Sequence, residues 1–87
     1  MKTIWKFPLA IVNWQDVEMP MGATILSVDV QKDILCIWAL VDPTRNKVNR
    51  RIRIAGTGHE IDPRGLDYIG TAQMAGGDLI WHVFMAE

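Results

Sequence analysis

The chain is poor in the residues on which most catalytic and metal chemistry depends. It has a single cysteine, Cys36, which excludes an internal disulfide framework and any cysteine-rich zinc site. Its only serine, Ser27, sits in an alternating stretch rather than in a nucleophile elbow, so a serine-hydrolase triad has no starting point. The apolar run ILCIWALV is eight residues long, far short of a bilayer span, and the N-terminal stretch lacks the h-region of a signal peptide. A soluble, intracellular protein without membrane contact is expected. No sign of charge prevails: nine Lys and Arg oppose ten Asp and Glu, for a net charge of −1 and a pI near 6.1. Overall charge therefore draws the chain toward neither nucleic acid nor an anionic membrane. Internal repeats, low-complexity tracts and a sustained helical period are absent as well.

What is present is alternation. The 87 residues suffice for one domain, and 49% of them are hydrophobic, enough for a compact core of modest stability, roughly 5 kcal/mol. TIWKFPL alternates, and Pro8 marks it as an edge strand because proline cannot donate to a ladder. WQDVEMP sets Gln15, Val17 and Met19 against Asp16 and Glu18. ATILSVDVQ points Leu26, Val28 and Val30 inward, and a short loop at Lys32 and Asp33 returns the chain into ILCIWALVD. That hairpin sets Val30 opposite Leu35, Val28 opposite Ile37, Asp29 opposite Cys36 and Ser27 opposite Trp38. Because its second strand is apolar on both faces, it belongs in the middle of a sheet or under another layer. There Cys36 reads as a buried small hydrophobe.

RRIRIAG alternates again, with Ile52 and Ile54 inward and Arg51 and Arg53 outward. The last segment reads as a hairpin around Gly76 and Gly77, pairing Gly70 with Val83, Ala72 with Trp81, Ile69 with Phe84, Thr71 with His82 and Gln73 with Ile80. Only VNWQDVEM and DPRGLDY offer short helical alternatives. The expected fold is all-β and mainly antiparallel, a small β-sandwich or curled sheet of about six or seven strands with room for one short helix.

Candidate chemistry concentrates in RRIRIAGTGHEID, residues 50–62. A phosphate loop needs converging backbone N–H groups with a helix behind them. This segment lacks the Walker lysine and the third glycine of a dinucleotide fingerprint, and Pro63 follows instead of a helix. A strand exit whose glycines supply turn dihedrals accounts for it better. His59 and His82 would hold a metal only if they converged with Glu60 or Asp62, which nothing in the spacing enforces. No metal, cofactor or catalytic residue is therefore expected. The basic cluster of Arg45, Lys47, Arg50, Arg51 and Arg53 reads first as a charged solvent face. Its alternative is a nucleotide or nucleic-acid site, or a trap for a nucleotide immune signal, formed by Arg50, Arg51, Arg53, Thr57 and His59. Among the four tryptophans, Trp14 between Asn13 and Gln15 is the candidate for exposure and for contact with a protein partner.

Five short elements, IWKFPL, ALVDP, GTGHEI, YIGTAQ and WHVF, occur in this order from Ile4 to Phe84. Together they resemble a family of small proteins carried by bacteriophages and prophages. In size and opening residues the chain is also similar to small phage-encoded anti-CRISPR inhibitors of type I systems. The resemblance implies a non-enzymatic inhibitor of host defence in the host bacterial cytoplasm. Its implied partner is a CRISPR surveillance complex, kept from its target DNA by occupation of a protein surface. The acids Asp16, Glu18, Asp29 and Asp33 would then form one negative patch able to compete for a DNA-binding surface, while the arginine cluster departs from a pure DNA mimic.

Overall fold

The computed structural model describes residues 1–87. Alternating apolar residues fold into seven strands: β1 (Thr3–Pro8), β2 (Trp14–Pro20), β3 (Thr24–Gln31), β4 (Ile34–Val41), β5 (Lys47–Gly56), β6 (Leu66–Met74) and β7 (Leu79–Ala86). They form a three-stranded sheet in the order β1-β4-β3 and a four-stranded sheet in the order β2-β5-β7-β6. Every pairing is antiparallel. The fold is thus the sandwich rather than the single curled sheet. Both helical alternatives are overturned: VNWQDVEM becomes the entry to β2 and β2 itself, DPRGLDY a turn leading into β6. Asp16 and Glu18 point away from Val17 and Met19 in a period of two, which a strand satisfies and a helix does not. The sole helical feature is a single 3-10 turn, Ala75–Gly77, closing the β6–β7 hairpin.

The core lies between the sheets. Leu35 and Ile37 of the smaller sheet meet Met19, Ile52, Ile54, Ala72, Val83 and Met85 of the larger one. Leu35, Ile37, Ile52 and Val83 are fully buried, each contributing roughly 1.5–3 kcal/mol through apolar burial. β4 is central in its sheet and β1 is an edge, as the apolar run and Pro8 predict. The β3–β4 register matches the alternation from Ser27↔Trp38 to Val30↔Leu35. Lys32 and Asp33 turn the hairpin with φ of 52° and 64°, the paired left-handed conformations of a two-residue hairpin turn.

Two bulges depart from simple alternation. One lies between Ile25 and Ser27; it packs Ile25 against the core and leaves Leu26, expected inside, 50% exposed. The other lies between Tyr68 and Gly70. It turns Ile69 to the core and sets Tyr68, not Ile69, opposite Phe84. An extra residue in one strand shifts the parity of everything before it. Beyond this second bulge β6 comes against β3 so closely that a Cβ on Gly70 would lie 2.7 Å from Cβ of Val28.

Candidate functional site

The outer face of the larger sheet carries most of the polar and aromatic residues singled out in the sequence. Register alone assembles them: Trp14 lies opposite Arg53, Asp16 opposite Arg51, and Glu18 opposite Asn49. The segment before β2 is fixed by Gln15, whose side-chain amide donates to the carbonyl of Ala10 (2.7 Å) and accepts from its N–H (3.1 Å). Trp14 adjoins it and is 43% exposed. The guanidinium carbons of Arg51 and Arg53 stand 4.9 and 5.7 Å from its ring centroid, a cation–π arrangement that holds the indole in one orientation. Trp14 and Arg53 form one wall of an open cleft of about 630 Å³, closed on the other side by Glu60, Ile61 and Asp62.

The arginines already have partners in the protein itself. Arg51 pairs with Asp16 at 3.3 Å, both side chains about half exposed, so the pair adds little to stability. Arg53 donates to the main-chain carbonyls of Asn13 and Ile54. Arg50, expected to join them from a loop, is instead inside β5 on the opposite face, where Val17 is its cross-strand partner and its guanidinium meets the sulfur of Met85. The strand begins at Lys47, three residues ahead of the RRIRIAG run, and the period of two separates Arg50 from Arg51. Thr57 and His59 lie in the turn after β5. The N–H of His59 donates to the carbonyl of Gly56 (3.1 Å), and its Nδ1 accepts from the N–H of Gly56 (3.3 Å). The anion-binding set is therefore dispersed.

The acidic set is divided too. Asp16 and Glu18 are on the outer face of the larger sheet, whereas Asp29 is on β3 and Asp33 in the turn of the β3–β4 hairpin, on the smaller sheet. A single negative patch does not form, because the chain crosses from one sheet to the other between β2 and β3. Locally, Asp62 adds to the acidity of the cleft. The Arg64 side chain (2.6 Å) and the Arg64 N–H hold its carboxyl below the usual carboxylate value and raise the Arg64 guanidinium in turn.

Farther along the same face, His82 sits between two hydroxyls. Its Nε2 is 2.7 Å from Oγ1 of Thr57 and its Nδ1 is 3.0 Å from Oγ1 of Thr71, which also meets the phenol of Tyr68. Thr57 and His82 have the spacing of a nucleophile and its base, but the group behind the imidazole is a neutral hydroxyl. A hydroxyl orients the ring without stabilising the imidazolium that base catalysis generates. Nowhere do three His, Cys, Asp or Glu side chains gather as metal ligands. Tyr68, 60% exposed, packs edge-on against Phe84 at 5.6 Å. Sequence reasoning missed this aromatic pair because it follows from the second bulge.

A family described as a domain of unknown function, DUF7352, matches residues 1–87. The chain belongs to that family. No curated protein and no solved structure matches it. This DUF7352 domain has no helix long and apolar enough to cross a membrane.

Proposed function

We propose that this DUF7352 domain acts by binding, without catalysis, and that it docks a protein partner on the outer face of its larger sheet. The observation that carries the reading is the cleft beside Trp14, where a half-exposed indole is held by Arg51 and Arg53 and faced by Ile61. Tryptophan, tyrosine and arginine on one rigid face are the residues that dominate protein–protein binding energy. Charge favours a protein over a nucleic acid. The arginines here are already engaged, Arg51 with Asp16, Arg64 with Asp62 and Arg53 with the carbonyls of Asn13 and Ile54, while Glu18 and Glu60 form no ion pair. Phosphates would meet acids there.

The resemblance to phage and prophage proteins supports a setting for this activity. In that setting the partner is a host-defence assembly in the cytoplasm of an infected bacterium, a type I CRISPR surveillance complex first among them, and docking keeps it from its target DNA. A phage-challenge assay in CRISPR-immune hosts tests this. Expression of the wild-type chain restores plaques, and Trp14→Ala with Arg53→Ala abolishes the effect while the circular-dichroism spectrum and unfolding midpoint stay near wild type. Unchanged immunity across several type I systems would remove the defence-complex reading. Calorimetric heat with cyclic nucleotides or short DNA, lost in the same variant, would transfer the face to the nucleotide alternative.

A further inference from the structure

Antiparallel pairing decides which side chains share a face and also which main-chain groups are left without a partner. β2 is an edge of the larger sheet and has β5 as its one neighbour. The N–H of Ile54 donates to the carbonyl of Asn13 (3.1 Å), and the N–H of Met21 donates to the carbonyl of Asn46 (2.8 Å). Both bonds continue the β2–β5 register, in which Gln15, Val17 and Met19 lie opposite Ile52, Arg50 and Val48. Along an antiparallel pair, residues bonded to the neighbour alternate with residues whose N–H and C=O point the other way. Gln15, Val17 and Met19 therefore bond to β5. Trp14, Asp16 and Glu18 direct their N–H and C=O groups away from the sheet, about 7 Å apart along the edge. Side-chain hydrogen bonds to the main chain in this region go to Ala10 and Asn13 instead. The other edges are blunted. β3 and β6 each carry a bulge, which interrupts a regular ladder, and they pack against each other at Val28 and Gly70. On β1 the same parity, set by the bond from the Leu9 N–H to Leu35, leaves Ile4, Lys6 and Pro8 facing outward, and proline has no N–H to offer. β2 keeps an unbroken row of three.

We propose, resting on the docking face described above, that β2 captures its partner by strand addition. The captured segment is an extended chain with basic residues at alternate positions and apolar residues between them. The free main-chain groups select the backbone, since an extended segment matches donors and acceptors repeated at this spacing. The side chains select the chemistry. Residues of an added strand that bond to Asp16 and Glu18 place their side chains on the outer face, directly beside these carboxylates. Glu18 lies opposite Asn49 and forms no ion pair, while Asp16 is half exposed and meets Arg51 at 3.3 Å. A lysine or arginine at each position supplies the missing counter-charge. The intervening residues turn to the inner side, next to Val17, which packs against the core, and an apolar side chain suits them there. The row begins at Trp14, a wall of the cleft, so edge and cleft form one continuous surface. A second copy of β2 does not suit this edge. In the antiparallel register that uses all three positions, Asp16 stands opposite Asp16, and like charges directly opposite are destabilising.

Titration of the isotope-labelled chain with a peptide of about seven residues, alternating lysine and valine, tests the assignment through backbone amide shifts. Contacts this small are weak, so the titration runs to about 5 mM. The amides of Trp14, Asp16 and Glu18 are expected to move downfield together and to gain protection from solvent exchange. N-methylation of the lysine amides, which bond to β2, removes binding, whereas N-methylation of the valine amides, which face away, leaves it. A glutamate–valine peptide binds about tenfold more weakly or worse. Glu18→Ala weakens binding through its charge, and Glu18→Pro, at an edge position that tolerates proline, weakens it about fivefold further for the lost hydrogen bond. Equal binding of the two N-methylated peptides overturns strand addition, and equal binding of the glutamate peptide overturns the basic partner. Shifts confined to the Trp14 indole, Arg53 and Ile61 overturn the edge while supporting the docking face. No shift at about 5 mM overturns strand addition alone, because the phage-challenge assay reads the docking face independently.

Discussion

Gly70→Ala is expected to loosen the sandwich where β6 packs tightly against β3. The new Cβ would lie 2.7 Å from Cβ and 2.8 Å from Cγ2 of Val28. Carbon atoms rest at about 3.5–4.0 Å, so β3 and β6 must separate by roughly 1 Å there. Overpacking of this kind costs about 1–3 kcal/mol. Removing a glycine from a strand returns about 0.5–1 kcal/mol in conformational entropy, so the steric cost wins and about 1–2 kcal/mol is lost. In a domain of this length that lowers the thermal midpoint by roughly 5–15 °C. Thermal and urea unfolding followed by circular dichroism measure it. Val28→Ala alone destabilises through lost contacts, by about 1–2 kcal/mol. The double variant should be more stable than the sum of the two losses by about 1 kcal/mol, because the methyl introduced at position 70 then occupies the space that the valine side chain leaves. A Gly70→Ala protein as stable as wild type, or strictly additive losses, would refute the close approach as a determinant of packing.

Two further perturbations act on turns. Asp42 accepts from the N–H (3.0 Å) and the hydroxyl (2.6 Å) of Thr44, and these bonds lower its carboxyl from the ordinary value of 3.8. A carboxylate depressed in the folded state contributes stability that is present above its unfolded value and lost as pH falls through the folded one. The wild type should therefore lose stability below about pH 4 more steeply than Asp42→Asn, and parallel acid titrations of the two midpoints would refute it. Lys32 and Asp33 occupy left-handed φ of 52° and 64°. The paired exchange Lys32→Asn with Asp33→Gly should therefore raise stability by about 1 kcal/mol and the midpoint by roughly 4–8 °C; an unchanged midpoint would count against strain in that turn.

The parts of the fold that were legible in the sequence are those that depend on neighbours along the chain. The β3–β4 hairpin and the end of the β6–β7 hairpin follow from a two-residue period and a short turn, and their registers agree with the alternation. The bulges were not legible, since an extra residue at Leu26 or Ile69 leaves the composition of the strand unchanged while reversing the parity on one side of it. Sheet membership was not legible either. Alternation shows that Asp16 and Asp29 both point outward, yet whether they share a surface depends on which sheet each strand joins. That choice separated the acids. The site was legible in Trp14 and in the outward arginines of β5, and illegible in Tyr68 and Phe84, whose pairing exists only because of the second bulge.

The double-faced apolarity of β4 has a consequence for how the chain is made. ILCIWALV has no charge and no proline, the composition of a segment that pairs readily with copies of itself. Its hairpin with β3 forms in about 1–10 μs once both strands exist and covers one edge. The inner face must wait for β5 and β7, which leave the ribosome after it; at about 5–20 residues per second the remainder of the chain takes roughly 2–9 s to synthesise. Throughout that interval the inner side of β4 has no layer above it, and a lower growth temperature or slower initiation should raise the soluble yield by thinning the population of chains caught at this stage. The strand that organises the core is thus the one for which a ribosome-bound chaperone has most to do.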